Sequence, residues 1–211
     1  MAAACVALLV FCVSQGVMIQ IGSARVTFGP VAASGSPNAE VREIVRQELA
    51  AVYLPVVEGV VQTIRDYVGR IYVVEADQAL VNCERALRQT RIDRVIENYG
   101  LEWVNLSKQE FVEVEVPGAR VLQRVRLPEI LLRTELITLP VMKTHNKTTI
   151  TGALKNQWGC LPKDRHRYHP QVHPVIADLN HALRPRLAVR FQPLAQFLAA
   201  FPANLFFPVA V

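Results

Sequence analysis

Apolar positions along this chain alternate between two periods. Val57, Val60, Val61, Ile64 and Val68 recur at helical spacing, predicting an amphipathic helix over residues 56–67 that Gly69 ends. IYVVE (71–75) follows as a short buried strand, and helix, glycine, strand is half of a βαβ unit. Glu75 and Asp77 then stand where a parallel strand meets its C-terminal loop, the usual ligand side of an open α/β sheet; a solvated turn explains them equally well. A helix is predicted over 84–99, with Ala86, Ile92, Val95, Ile96 and Tyr99 inward and Gly100 at its end, and LEWVNL (101–106) is the next strand. FVEVEV (111–116) alternates strictly, and Pro117-Gly118 turns it into ARVLQRVRL (119–127), an antiparallel hairpin that reads as an insertion or a sheet edge.

ELITLP (135–140) is an apolar strand stopped by Pro140, which makes residues 142–147 the loop at its C-terminal end. Beyond that loop the helical period returns. Counted from Ile150, the residues Ala153, Leu154, Trp158 and Leu161 each fall within about 80° of it, while Thr148, Thr151, Gly152, Lys155, Asn156 and Gly159 occupy the opposite arc. A helix with an apolar inner side and a polar outer arc is expected. Pro174 opens a further helix, PVIADLNHALRP, with Val175, Ile176, Leu179 and Leu183 buried, and RLAVR (186–190) is a last strand. The fold class is therefore α/β: a mostly parallel sheet flanked by helices, with an antiparallel hairpin insertion, over residues 38–190.

The two ends differ from this domain. Residues 1–37 hold an apolar run, Ala2 to Val13, and a Gly/Pro/Ala/Ser-rich loop from Gly29 to Asn38. The run has the length of a signal-peptide core but no basic residue before Arg25, so it reads as a buried first strand or an aberrant start, with export by an atypical signal as the alternative. Residues 191–211 carry no charge and three prolines. Such a tail packs onto the domain, meets a partner or membrane, or is a damaged end of the reading frame.

Charge changes the picture more than composition does. The chain's net charge is +5, yet between Lys143 and Arg190 nine Lys/Arg face only Asp164 and Asp178, a local +7. That field favours a small anionic ligand such as a carboxylate or phosphate, or a nucleotide-like cofactor. Interleaved Pro, Trp and apolar residues argue against nucleic acid. Cys5, Cys12, Cys83 and Cys160 are scattered, without the spacing of an iron-sulfur cluster or zinc ribbon, so a reduced cytoplasmic setting is the plain reading and any cluster would sit on a partner protein.

All five histidines lie in the same basic segment. Around the predicted strand-loop-helix junction, Thr148 or Thr149 can cap the helix start, and Lys143 and Lys147 complete an anion cradle. The paired glycines 152 and 159 suggest that a ligand approaches the backbone, although a solvated surface helix accounts for the same residues. His166, His169 and His173 have metal-like spacings, but Pro170 and Pro174 keep them off one helical face, and a basic lid carrying Arg165, Arg167 and Tyr168 is the expected arrangement.

The run LPVMKTHNKTTITGALKNQWGCLP, followed by RYHP and IADLNHALRPRLAV, resembles the family called domain of unknown function 362. The matching residues are Lys143, Thr144, His145, Thr151, Gly152, Lys155, Asn156, Gly159, His169 and Asp178. The resemblance implies a fold similar to nickel-dependent lactate racemases, histidine chemistry at a cofactor of unknown identity, and an association of some members with iron-sulfur modules. Two elements of the family pattern have no counterpart here: Lys-Pro-Asn near the start, and Asp-Gly with Glu-Gly-x-Gly-Pro after the last strand.

Two functions follow as expectations. One is a racemase-like or redox enzyme in which Lys143 and Lys155 neutralise an anion, His145 is the acid/base, and Thr148, Thr151, Gly152, Asn156, Gly159 and His169 line the ligand. The other is a non-catalytic binding or electron-transfer partner protein, or an inactive fragment of the family.

Overall fold

A computed structural model describes residues 5–10, 17–21, 24–28, 54–77, 82–140, 143–145 and 147–189; at 5, 8–10, 17–21, 24–28, 143 and 144 the backbone alone is described. The Gly29 to Asn38 loop and the uncharged tail lie outside these residues. In chain order the elements are β1 (Cys5–Val10), β2 (Val17–Ile21), β3 (Ala24–Phe28), a helix α1 over 54–64, β4 (Arg70–Glu75), α2 (Cys83–Gln89), α3 (Ile92–Tyr99) and β5 (Glu102–Asn105). They continue with β6 (Phe111–Glu115), β7 (Arg124–Pro128), α4 (Glu129–Leu132), β8 (Glu135–Leu139), β9 (Lys143–His145) and β10 (Thr149–Thr151). After these come α5 (Ala153–Asn156), a long 3-10 segment (Lys163–Gln171), α6 (Val172–Ala182) and β11 (Leu187–Ala188).

Five strands form one sheet in the order β11-β8-β1-β4-β5, and each of its four pairings is parallel. The N-terminal apolar run thus supplies the central strand, with Val6 opposite Ile71 on one side and Glu135 on the other. Alternation along the strands sends neighbouring residues to opposite faces. Val6, Ile71, Val73, Ile137 and Leu139 pack with Val57 and Val61 of α1 and Ile92 and Val95 of α3. Ala7, Val74 and Leu136 pack instead with Val175, Ile176 and Leu179 of α6 and with Trp158 and Leu161. Both faces are covered, as a parallel sheet requires. Among the described residues no helix is long and apolar enough to cross a membrane.

The expected hairpin is present as a separate two-stranded sheet, β6-β7. Its turn is longer than Pro117-Gly118 alone predicts, because residues 120–122 are held elsewhere. The Asp178 carboxylate accepts the backbone N–H groups of Arg120 (3.0 Å), Val121 (2.7 Å) and Leu122 (2.9 Å). Val116, Leu122, Val125 and Leu127 then join the core on the α6 side.

Three elements differ from the sequence expectation. The single helix over 84–99 is two helices, broken where the Thr90 hydroxyl bonds back to the Ala86 and Leu87 carbonyls and Arg91 takes the left-handed φ of 59°. Pro174 is the third residue of α6 and not its first, a position whose missing N–H has no partner inside the helix anyway. The third difference is at the predicted site helix. Thr149 to Thr151 is strand, paired antiparallel with Lys143 to His145, and the helix begins only at Ala153. The β-branched Ile150 and Thr151 favour that extended pairing, with Thr149 at the turn that leads into it.

Candidate functional site

The late helix start shifts the phase of everything after it. Ile150 is 46% exposed and Leu154 62% exposed, although the helical count puts both inside. Thr151, Lys155 and Asn156 are buried, with Lys155 at 8% and Asn156 at 4%. The polar residues therefore face the protein, against the C-terminal ends of the strands, while Trp158 and Leu161 are buried as the pattern predicts. Asn156 donates its side-chain amide to the Thr138 hydroxyl of β8. Gly152 is extended, with open space where a Cβ would project, and a Cβ on Gly159 would meet Ala76 and Glu75 at an ordinary 3.8 Å. Neither glycine is required by a close approach of protein atoms.

Lys155 sits over the Trp158 ring, its Nζ 5.7 Å from the centroid. Among the described residues it has no hydrogen-bond or ion-pair partner. Burial lowers its pKa to about 8, and the Arg165 guanidinium pushes in the same direction. The His169 ring stacks on Trp158 (centroids 5.6 Å apart, planes within 12°) and lies 5.2 Å from His166. Burial and then the charges of His166, Lys155, Lys147 and Arg165 hold the His169 pKa below the ordinary imidazole value, so the ring is neutral at pH 7. Lys147, in the β9–β10 turn, and the long 3-10 segment thus act on one imidazole.

The carboxylates nearby serve a different cation. Arg165 is buried (3% exposed) and donates to the carbonyls of Asp77 (2.6 Å) and Leu161 (3.1 Å). The charges of Glu75 and Asp77 support its protonation against burial. Asp77 also accepts from the Cys83 N–H (3.0 Å) and pairs with Lys163 (3.1 Å). Burial alone would raise its pKa, but these bonds hold it below the usual carboxylate value. Glu75 and Asp77 are buried structural anchors, not a solvated turn. Arg165, expected in a basic lid, is buried instead, and nothing in RHRYHP distinguishes it from the exposed Arg167.

His145 ends β9, half-buried. Its Nδ1 accepts the backbone N–H groups of Lys147 (3.0 Å) and Thr148 (3.3 Å), which assigns the ring proton to Nε2. Thr148 turns its hydroxyl to the Ile150 carbonyl (2.9 Å). Thr149, with φ of 60°, holds a conformation that β-branched residues avoid, and the strain falls on the turn that aims His145. The Lys143 side chain lies outside the described residues; its backbone pairs with Thr151. His173 is exposed, and among the described residues no three His, Cys, Asp or Glu side chains are grouped to hold a metal ion.

Over residues 37–192 the chain matches the family described as Domain of unknown function (DUF362). No curated protein and no solved structure matches it. The likeness to nickel-dependent lactate racemases rests on the family resemblance alone.

Proposed function

Because the chain belongs to the domain of unknown function 362 family, whose description carries no activity, we propose from the site's geometry that it binds a small anionic molecule at the C-terminal end of the sheet and moves a proton on it. The observation that supports this most is Lys155: a buried ammonium with no partner among the described residues, in a fold that supplies Glu75 and Asp77 to Arg165 instead. A buried cation without a counter-charge destabilises the fold, and an incoming carboxylate or phosphate relieves that. Lys143 is the second neutralising charge in this reading.

The two histidines take different roles. His145, held at Nδ1 by two backbone N–H groups, fixes the β9–β10 turn that carries Lys147. His169, kept neutral by burial and then by its cationic surroundings, is the proton acceptor. Thr148, Thr151, Gly152 and Gly159 shape the wall, and Asn156 positions α5 through Thr138.

Small 2-hydroxy acids, dicarboxylates and inorganic phosphate should raise the melting temperature of the wild-type chain and leave that of Lys155→Met unchanged. Incubation of a bound 2-hydroxy acid in heavy water, followed by mass spectrometry, reads proton exchange. Loss of exchange in His169→Gln with binding retained supports the enzyme; binding with no exchange in the wild type selects the non-catalytic binding protein. Absence of any anion-dependent shift removes the proposal.

A further inference from the structure

Lys155 has the surroundings of a nucleophile as well as those of a charge. An ammonium that only neutralises a ligand works best fully protonated, and it gains from a carboxylate that keeps it so. Here the amine is buried and flanked by the Arg165 guanidinium, with no acceptor among the described residues to hold its protons, and these outweigh the Trp158 face 5.7 Å away, which favours the cation. Such surroundings favour the free amine, the form that attacks carbonyl carbon. The neighbouring acids are already engaged: Asp77 by Cys83 and Lys163, and Glu75 by the backbone N–H of Ala76 (2.8 Å) and by the charge of Arg165.

We propose that Lys155 forms an imine with a carbonyl-bearing anion, a 2-oxo acid being the simplest class. This rests on the anion-binding reading above. The Nζ lone pair attacks the carbonyl carbon, and the oxygen takes up a proton to give a carbinolamine. A C=N bond then replaces the C–O bond, and the oxygen leaves as water with the two amine hydrogens. No oxidant or reductant is consumed. The imine nitrogen then takes back the proton that the ammonium gave up to become the free amine, so the protonated imine carries one positive charge, as the ammonium did, and the field that holds the anion persists. His169, neutral and stacked on the same Trp158 ring, is placed in this group to carry the proton between the two steps.

The test treats the full chain with pyruvate and sodium cyanoborohydride, which reduces an imine to a stable secondary amine, and maps the product by peptide mass spectrometry. L-Lactate, which has the carboxylate but no carbonyl, is the control for binding, read by thermal shift. The expected result is one pyruvyl adduct at Lys155, formed at least about tenfold faster than at the exposed Lys163, with half-maximal rate near pH 8. Lys155→Arg, which keeps the charge, should retain the lactate shift and lose the adduct. Shifts with both acids but no adduct at Lys155 overturn the imine and leave anion binding standing. Absence of both shift and adduct overturns both proposals, whereas an adduct that forms as fast with uncharged propanal keeps the nucleophile and removes the anion.

Discussion

The Asn156 amide and the Thr138 hydroxyl lie 2.5 Å apart in the interior, one on a four-residue helix and the other near the end of β8. A helix of one turn has little stability of its own, so this bond sets how α5 presents Lys155. Thr138→Val keeps the shape and removes the acceptor of this buried bond, a loss of about 1–3 kcal/mol. Thermal denaturation should show a lower midpoint for Thr138→Val than for Thr138→Ser, which keeps the acceptor.

Removal of the buried ammonium should stabilise the protein. The folded pKa of Lys155, about 8, lies below its ordinary 10.5, so below pH 8 both states are protonated and the full desolvation penalty, about 3 kcal/mol, is present. Between pH 8 and 10.5 the unfolded chain binds the extra proton, and the wild type gains stability as pH rises. Lys155→Met should accordingly be more stable at pH 7, with an advantage that shrinks toward pH 10; denaturant unfolding across that range measures it.

His169 reports on the same charge. Lys155→Met removes one of the positive neighbours that hold the imidazole below its usual value, so its titration, followed by NMR of the ring protons, should move upward. No movement would mean that burial and the charges of His166, Lys147 and Arg165 set it.

At acid pH the tie between α6 and the β6–β7 turn should fail. Burial favours the neutral form of Asp178, but three backbone N–H groups outweigh it and hold the pKa below the ordinary 3.8. The stability it contributes is therefore complete above pH 3.8 and is lost as pH falls below that value. Asp178→Asn presents an amide to N–H donors and should cost about 2–3 kcal/mol at pH 7. Its melting temperature should converge with that of the wild type as the solution is acidified.

The basic 3-10 segment contains two arginines of opposite consequence. Arg165→Met leaves the buried carbonyls of Asp77 and Leu161 without their guanidinium donor and should cost about 1–3 kcal/mol. Arg167→Ala, on an exposed side chain stacked on Tyr168, should leave the melting temperature nearly unchanged.

These residues also show what the sequence conveys and what it conceals. Strands β4, β5 and β8 were legible because each is a compact apolar run with a turn signal, and Gly100 closes α3 at φ 60° as expected. The phase of the site helix was not legible. Ile150, Ala153, Leu154, Trp158 and Leu161 fit an amphipathic count, but pairing of Thr149 to Thr151 with β9 overrides it, and that pairing is a tertiary fact. The burial of Arg165 and Glu75 was hidden for a similar reason: their partners lie in segments far apart in the chain. Lys155, Asn156 and His145 stand out by the density of polar groups between Lys143 and Asn156, and His169 by the family resemblance; neither signal tells which way the residues face.

The central position of β1 governs how the chain comes to its fold. Val6 must be paired with Ile71 and again with Glu135, so both neighbours of the most apolar strand are supplied much later in the chain. Pairings of such long sequence separation make folding slow. During synthesis Cys5 to Val10 waits with both edges open until β4 and then β8 have emerged, and this interval, not the stability of the finished sheet, is when the chain is most prone to aggregate.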